Sequence, residues 1–287
     1  MFWKRAVTAA VLIPAVIAMV LLGPLWLVAG AAGAVVLLAL LEFFRLGDRA
    51  GLVGFVPWTT LCSLIVVYAQ WTATVATSEA SKGTALDFPA TTPGGLEAVL
   101  VLFILGLGVA ASLSRRQASQ LLSGVTVSAG GLLLVALPLS YLVRLAGFGD
   151  GRRWLLLVLV MIWVGDTAAY LVGKAAGRIP MAPTLSPKKT WEGAAANLLA
   201  ALGVGIVAAR WLPAARLFIL ELAVLVNIAG QAGDLLESAY KRSAGVKDSG
   251  QLLPGHGGML DRVDSLVLAV PMAWWYLWWL GHTGHLG

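Results

Sequence analysis

Cysteine is almost absent from this chain: Cys62 is the only one in 287 residues. A lone thiol excludes an internal disulfide and a thiolate metal cluster. Its place in an apolar run reads as a small core residue. Charge is scarce as well. Only 12% of the residues are Asp, Glu, Lys or Arg, whereas 59% are hydrophobic. So lean a polar surface argues against a soluble globular protein. Several chemical signatures are also missing. There is no G-x-x-x-x-G-K-[ST] phosphate loop, no G-x-G-x-x-G after a strand, no H-E-x-x-H and no G-x-S-x-G. The chemistries those motifs carry need another basis here.

What the chain has in abundance is apolar length. Mean hydropathy is +0.87, and many runs reach the ~20 residues that cross a bilayer as helix. The runs do not alternate as the strands of a membrane barrel would. The expected fold is therefore an all-α polytopic membrane protein of about nine spans. The N-terminal run has two basic residues before it, as a signal peptide does. It passes through Gly23–Pro24 into a second run ending near Leu41, which favours two spans and a tight turn without cleavage. Further spans are expected at about Leu52–Trp71, Leu96–Leu113, Leu121–Val143, Trp154–Val172, Ala194–Leu212, Leu217–Leu236 and Leu266–Leu280. The polar stretch Thr72–Gly95 reads as a loop. The WWYLWW cluster, Trp274 to Trp279, fits an aromatic belt at the membrane interface. No repeat divides the chain. One membrane domain over 1–287 is expected, with N-terminal helices to about 150 and the polar loops after it.

The net charge of +6 suits basic cytoplasmic loops better than a nucleic-acid surface. Nine spans put 14 of the 20 Lys and Arg residues on the side of the N-terminus and 6 on the other. The positive-inside rule then places the N-terminus and the main polar block in the cytoplasm.

Three polar stretches gather on that side. The first is Asp166-Thr-Ala-Ala-Tyr170 with Gly173, Lys174 and Gly177. Asp166, Tyr170, Gly173 and Gly177 form one helical stripe. A carboxylate at membrane depth costs at least ~2.5 kcal/mol, so it needs a cation or a partner. Pairing with Lys174 and small-residue packing are the plain alternatives. The second stretch is Ser186-Pro-Lys188-Lys189-Thr190. Adjacent ammonium groups beside a hydroxyl suit a polyphosphate or a phospholipid headgroup, and Thr190 is placed to cap the next helix. The plain alternative is an ordinary basic loop.

The third stretch is the densest. Nine charged side chains lie between Asp234 and Asp264, with His256 among them. Asp234, Glu237, Ser238 and Lys241 share one helix face. Arg242, Lys247 and Asp248 follow, then the turn Pro254-Gly-His256-Gly-Gly258, then Asp261, Arg262 and Asp264. Carboxylates with no cysteine and one histidine suit a hard cation such as Mg²⁺. Asp234, Asp261 and Asp264 are the candidate ligands for one or two cations, and the lysines and arginines would hold phosphates. A salt-bridged loop is the plain alternative. His256 is equally a base, a phosphate contact or a turn residue.

The run Ser238-x-x-Lys241-Arg242-x4-Lys247-Asp248-x-Gly250-x-x-Leu253-Pro254-Gly-His256-Gly-Gly258-Met-x-Asp261-Arg262-Val-Asp264 resembles the signature of the phosphatidate cytidylyltransferases, also called CDP-diacylglycerol synthases. The stretches from Asp166 and from Ser186, and the Glu42–Phe43 pair, are similar to that family too. The resemblance implies transfer of a cytidylyl group from CTP to phosphatidic acid, giving CDP-diacylglycerol and pyrophosphate in phospholipid biosynthesis. It implies a catalytic set of Asp261, Asp264, Asp234, Lys241 and Arg242, with metal at Asp234, Asp261, Asp264 and Asp166. It implies phosphate contacts from Lys241, Arg242, Lys188, Lys189, Ser186, Thr190, Lys247, Arg262 and His256. It further implies a homodimer in a bacterial cytoplasmic (inner) membrane, with no nucleic-acid partner. A CTP-dependent polyprenol or lipid-alcohol kinase and a cation-coupled transporter are the competing readings.

Overall fold

The computed structural model describes residues 2–80, 95–212, 214–250 and 257–284. Long helices dominate, as the apolar runs require. They are α1 (Phe2–Leu22), α2 (Leu25–Arg49), α3 (Val56–Ala80), α4 (Gly95–Leu113), α5 (Ala118–Gly131) and α6 (Leu137–Gly147). Then come α7 (Gly151–Ala176), α8 (Trp191–Ala208), α9 (Arg216–Ser243) and α10 (Leu260–His282). Helices α5 and α6 form one span through a π turn at Leu132–Ala136. Pro138 explains that turn: it has no N–H and its ring crowds the carbonyl four residues back, which a widened turn relieves. Among the described residues, eight spans are long and apolar enough to cross a membrane, and the stretch Ala10–Leu22 of α1 is a shorter apolar helix. The protein is an all-α, multi-pass membrane protein.

The expected spans match these helices, with three differences at their polar ends. Helix α2 runs past the expected end near Leu41 to Arg49, so Glu42, Arg45 and Asp48 are helical. Helix α3 continues past Trp71 to Ala80. Its threonines fit because their hydroxyls donate to the helix's own carbonyls, Thr74 to Gln70 at 2.7 Å and Thr77 to Ala73 at 3.0 Å. The rest of that expected loop, 81–94, lies outside the described residues. The loop after α7 is a small hairpin, β1 (Pro180–Ala182) antiparallel to β2 (Ser186–Thr190). Pro180, Pro183 and Pro187 bar a helix there and favour extended and turn backbone.

Two apolar clusters hold the helices together. One packs Val36, Leu40, Cys62, Val66, Leu132 and Leu139 of α2, α3 and the α5–α6 span. Cys62 is fully buried there, which agrees with its reading as a core residue. The other packs Val158, Met161, Val226 and Trp274 of α7, α9 and α10. Helix α10 joins both: Leu260, Val263 and Val267 lie in the first and Ala269, Ala273 and Leu277 in the second. The start of α10, where the acidic residues sit, is thus fixed against both halves of the chain. Outward apolar side chains such as Ile104, Leu105 and Leu199 are exposed, as lipid-facing positions are.

Candidate active site

Consecutive spans run antiparallel, so the polar ends of α7, α9 and α2 meet the starts of α8 and α10. Between α7, α8, α9 and the hairpin lies a cleft of about 380 Å³, lined by Asp166 and Tyr170 of α7, Lys188, Lys189 and Thr190 of β2, Asn197 of α8, and Gln231 and Asp234 of α9. Thr190 caps α8: its hydroxyl accepts from Gly193 N at 3.2 Å. The capped end of α8 brings the positive pole of a helix dipole to a cleft already carrying two lysines, a setting that favours anions.

Asp166 lies ten residues before the end of α7, about 15 Å into the helix by its rise. It opens to the cleft and does not pair with Lys174, whose ammonium sits over the Tyr170 ring at 5.9 Å. A chain of amides, two of them buried, reaches it instead. Gln231 donates to Asn227 at 2.6 Å, Asn227 to Asn197 at 2.6 Å, and Asn197 to Asp166 at 3.2 Å. Each amide gives its N–H and takes the next, so the chain ends on the one group that only accepts. Sequence reasoning missed these amides. Their signal was present, since amides inside apolar spans need a reason.

The acids of α9 and α10 sort into two groups. Asp234, Glu237 and Asp264 present carboxylate oxygens that all lie within 4.8 Å of one another. Asp234 is ion-paired with Lys189 at 2.6 Å. Glu237 is only 2% exposed, and its Oε1 has no hydrogen-bond partner. Lys241 forms an ion pair with its Oε2. Asp264 accepts from Ser265 N at 2.6 Å. Three carboxylates this close repel one another in a poorly solvated setting. A hard cation would relieve the repulsion, and an all-oxygen donor set suits one. The trio therefore fits a metal ion. Glu237 was not among the expected ligands, although its place one turn from Asp234 put it on the right face.

Asp261 belongs to a different group. Its Oδ1 meets Lys241 at 2.7 Å, and its Oδ2 accepts from Gly258 N at 2.8 Å and from Ser249 N at 3.0 Å. It is expected as a metal ligand, but the trio forms without it, because loop donors fill its oxygens. Lys241 bridges the two groups, with its ammonium engaged by Glu237 and Asp261 rather than open to a phosphate. Arg242 is likewise engaged: it donates to Leu185 O at 3.0 Å and Val246 O at 2.8 Å, tying the hairpin to the end of α9. Lys188, Lys189 and Thr190 line the cleft, whereas Ser186 sits at the far end of β2, paired with Ala182. Lys247 and Arg262 are exposed outside the cleft lining. His256 lies outside the described residues.

The profile of the cytidylyltransferase family matches residues 3–280. Among curated proteins, the chain is similar to a phosphatidate cytidylyltransferase of Mycobacterium bovis, 39% identical over 151 residues that cover 52% of this chain and 49% of the relative. It is similar to the protein of the same name from Bacillus subtilis, 40% identical over 129 residues covering 44% and 48%. A Staphylococcus haemolyticus protein of that name is 40% identical over 131 residues, covering 43% and 48%. The matched part of the chain spans about half the length of these relatives. With the family profile running across nearly all of its spans and through both acidic groups, this chain belongs to the cytidylyltransferase family.

Proposed function

We propose that this protein transfers the cytidylyl group of CTP to phosphatidic acid, releasing pyrophosphate and forming CDP-diacylglycerol. The observation that carries the reading is the trio Asp234, Glu237 and Asp264 next to the Lys188–Lys189 cleft. Acids that suit a cation and lysines that suit phosphates meet at one end of a set of membrane spans. Family membership and the shared name of the relatives support the same reaction.

In this reaction an oxygen of the lipid phosphate attacks the α-phosphorus of CTP. The new O–P bond forms as the bond to the β-phosphate oxygen breaks, and the electron pair leaves on pyrophosphate. The nucleophile is already ionised, so no residue needs to remove a proton from it. The work left to the protein is alignment and charge neutralisation. A divalent cation, Mg²⁺ in this reading, held by Asp234, Glu237 and Asp264 would neutralise phosphate oxygens. Lys188 and Lys189 contribute fixed positive charge on the cleft wall. Lys189 lines the cleft and is ion-paired with Asp234, so its charge stands between the acids and the place for a phosphate. The α8 N-terminus adds its dipole. Asp166, oriented by Asn197, sets the inner limit of the polar site. Asp261 and Arg242 hold the loops that frame it, while Lys247, Arg262, Ser186 and His256 are candidate outer contacts to substrate phosphates.

The excess of Lys and Arg at this end of the spans supports a cytoplasmic position for it under the positive-inside rule. Bacterial relatives make the cytoplasmic membrane the expected location. The whole chain acts as one membrane domain, and a homodimer follows from the family resemblance. Purified protein in detergent, given labelled CTP and phosphatidic acid with Mg²⁺ or with EDTA, tests the reading. Metal-dependent label in the lipid phase together with released pyrophosphate is expected. Phosphorylation of a lipid alcohol instead, or no turnover of any lipid by folded protein, would overturn it.

A further inference from the structure

Glu42 has no part in the reaction just described, yet it reaches the same loops from α2. It is 2% exposed, and both of its oxygens are filled from the far half of the chain. Met259 N donates to Oε1 at 2.9 Å, Leu260 N donates to Oε2 at 2.9 Å, and Ser249 Oγ lies 2.8 Å from Oε2. The two amides belong to the start of α10, where helical N–H groups have no partner within the helix. A side chain more than two hundred residues away in sequence therefore caps α10. Its negative charge also faces the positive pole of that helix.

The fit is close. A Cβ at Gly250 would stand 2.5 Å from Glu42 Oε1, and one at Gly258 would stand 2.2 Å from Oε2, so any larger residue at either position would push the Glu42 carboxylate out of its place. Asp261 holds Ser249 and Gly258 from the other side. Together the two acids grip both ends of the segment between them. Asp264 sits one helical turn beyond the capped residues. The direction in which α10 starts decides whether Asp264 meets Asp234 and Glu237. Packing alone does not explain Glu42, because an acid buried between apolar helices is costly unless its bonds serve a purpose.

We infer that Glu42 is a positioning residue: from α2 it fixes the first turn of α10 and the flanks of the glycine-rich segment, and so holds Asp264 to the acid trio. This rests on the proposed cytidylyl transfer, and one arm of the test is independent of that reading.

The test is Glu42→Gln, which keeps the size but turns an amide N–H₂ toward backbone donors. Hydrogen–deuterium exchange is followed at the amides of 257–262, and kcat and KM are measured with CTP and phosphatidic acid. Exchange there is expected to quicken while the α7–α8 amides keep their protection. The expected kcat is lower by about tenfold or more with both KM values unchanged, the size seen when outer-shell partners are lost. Leu40→Ala, a core change in the same helix, is the comparison: it lowers the melting temperature and leaves exchange at 257–262 as it was. Wild-type exchange in Glu42→Gln overturns the capping role. Faster exchange with wild-type kcat overturns the positioning role. If Glu42→Gln does not fold, Ser249→Ala decides: it removes one donor, is expected to move both readouts the same way by less, and overturns the inference if it moves neither. If the wild-type chain transfers no cytidylyl group, the proposed function fails, and the exchange arm still decides whether Glu42 caps α10.

Discussion

Two sets of carboxylates lie side by side at the end of the spans, and they differ in how many donors they have. Glu42 and Asp261 are saturated: backbone amides, the Ser249 hydroxyl and Lys241 fill their oxygens. Asp234, Glu237 and Asp264 have fewer partners, and one oxygen of the buried Glu237 has none. An acid that is fully hydrogen-bonded holds structure in place. A cluster of acids short of donors is a place for a cation. Residue type alone does not separate the two sets, because Asp261 and Asp264 are neighbours on one helix face. The donors on the adjoining loop separate them.

The comparison can be broken or sharpened by substitution. The largest effect is expected at the trio. Asp264→Asn should lower turnover by about 10²–10³-fold, with the protein still folded in detergent; wild-type rates would remove Asp264 from the site. Asp261→Asn should also lower turnover, by roughly 10–100-fold, because Lys241 loses a partner and the Ser249–Gly258 grip loosens. In the second case the defect should appear as faster amide exchange at 257–262, and unchanged exchange there would remove the holding role. Lys188→Ala should raise a substrate KM by roughly tenfold, the worth of one charge-assisted hydrogen bond. Unchanged KM for both CTP and lipid would take Lys188 out of the cleft chemistry. Thr190→Ala should be the mildest: loss of the α8 cap costs ~1 kcal/mol, read as a melting temperature lower by roughly 2–4 °C. An unchanged melting temperature would contradict the cap.

The spans were legible because crossing a bilayer demands long apolar runs, and nothing else in the chain competes with that signal. Their ends were less legible. Threonines that read as loop, such as Thr74 and Thr77, satisfy their hydroxyls on the helix itself. The hairpin at Pro180–Thr190 is too short for periodicity to reveal it. At the site, the density of charge between Asp234 and Asp264 marked the region. The helical spacing of Asp234 and Glu237 puts them on one face, but spacing says nothing of the donors that distinguish Glu237 from Asp261. The amides Asn197, Asn227 and Gln231 come from two helices and meet only in the fold. Glu42 was visible only as part of a resemblance, since its partners lie more than two hundred residues away.

The most direct measurement is the melting temperature of the purified protein in detergent, titrated with Mg²⁺, for wild type, Asp264→Asn and Asp261→Asn. A cation that binds only the folded state raises its stability by RT ln(1 + c/Kd) at free concentration c, so the melting temperature climbs with Mg²⁺ concentration. The division between the two acid groups predicts a Mg²⁺-dependent rise in wild type and in Asp261→Asn, and none in Asp264→Asn. A rise that survives in Asp264→Asn but is lost in Asp261→Asn would contradict it and return the metal to the acid that the loop donors now hold.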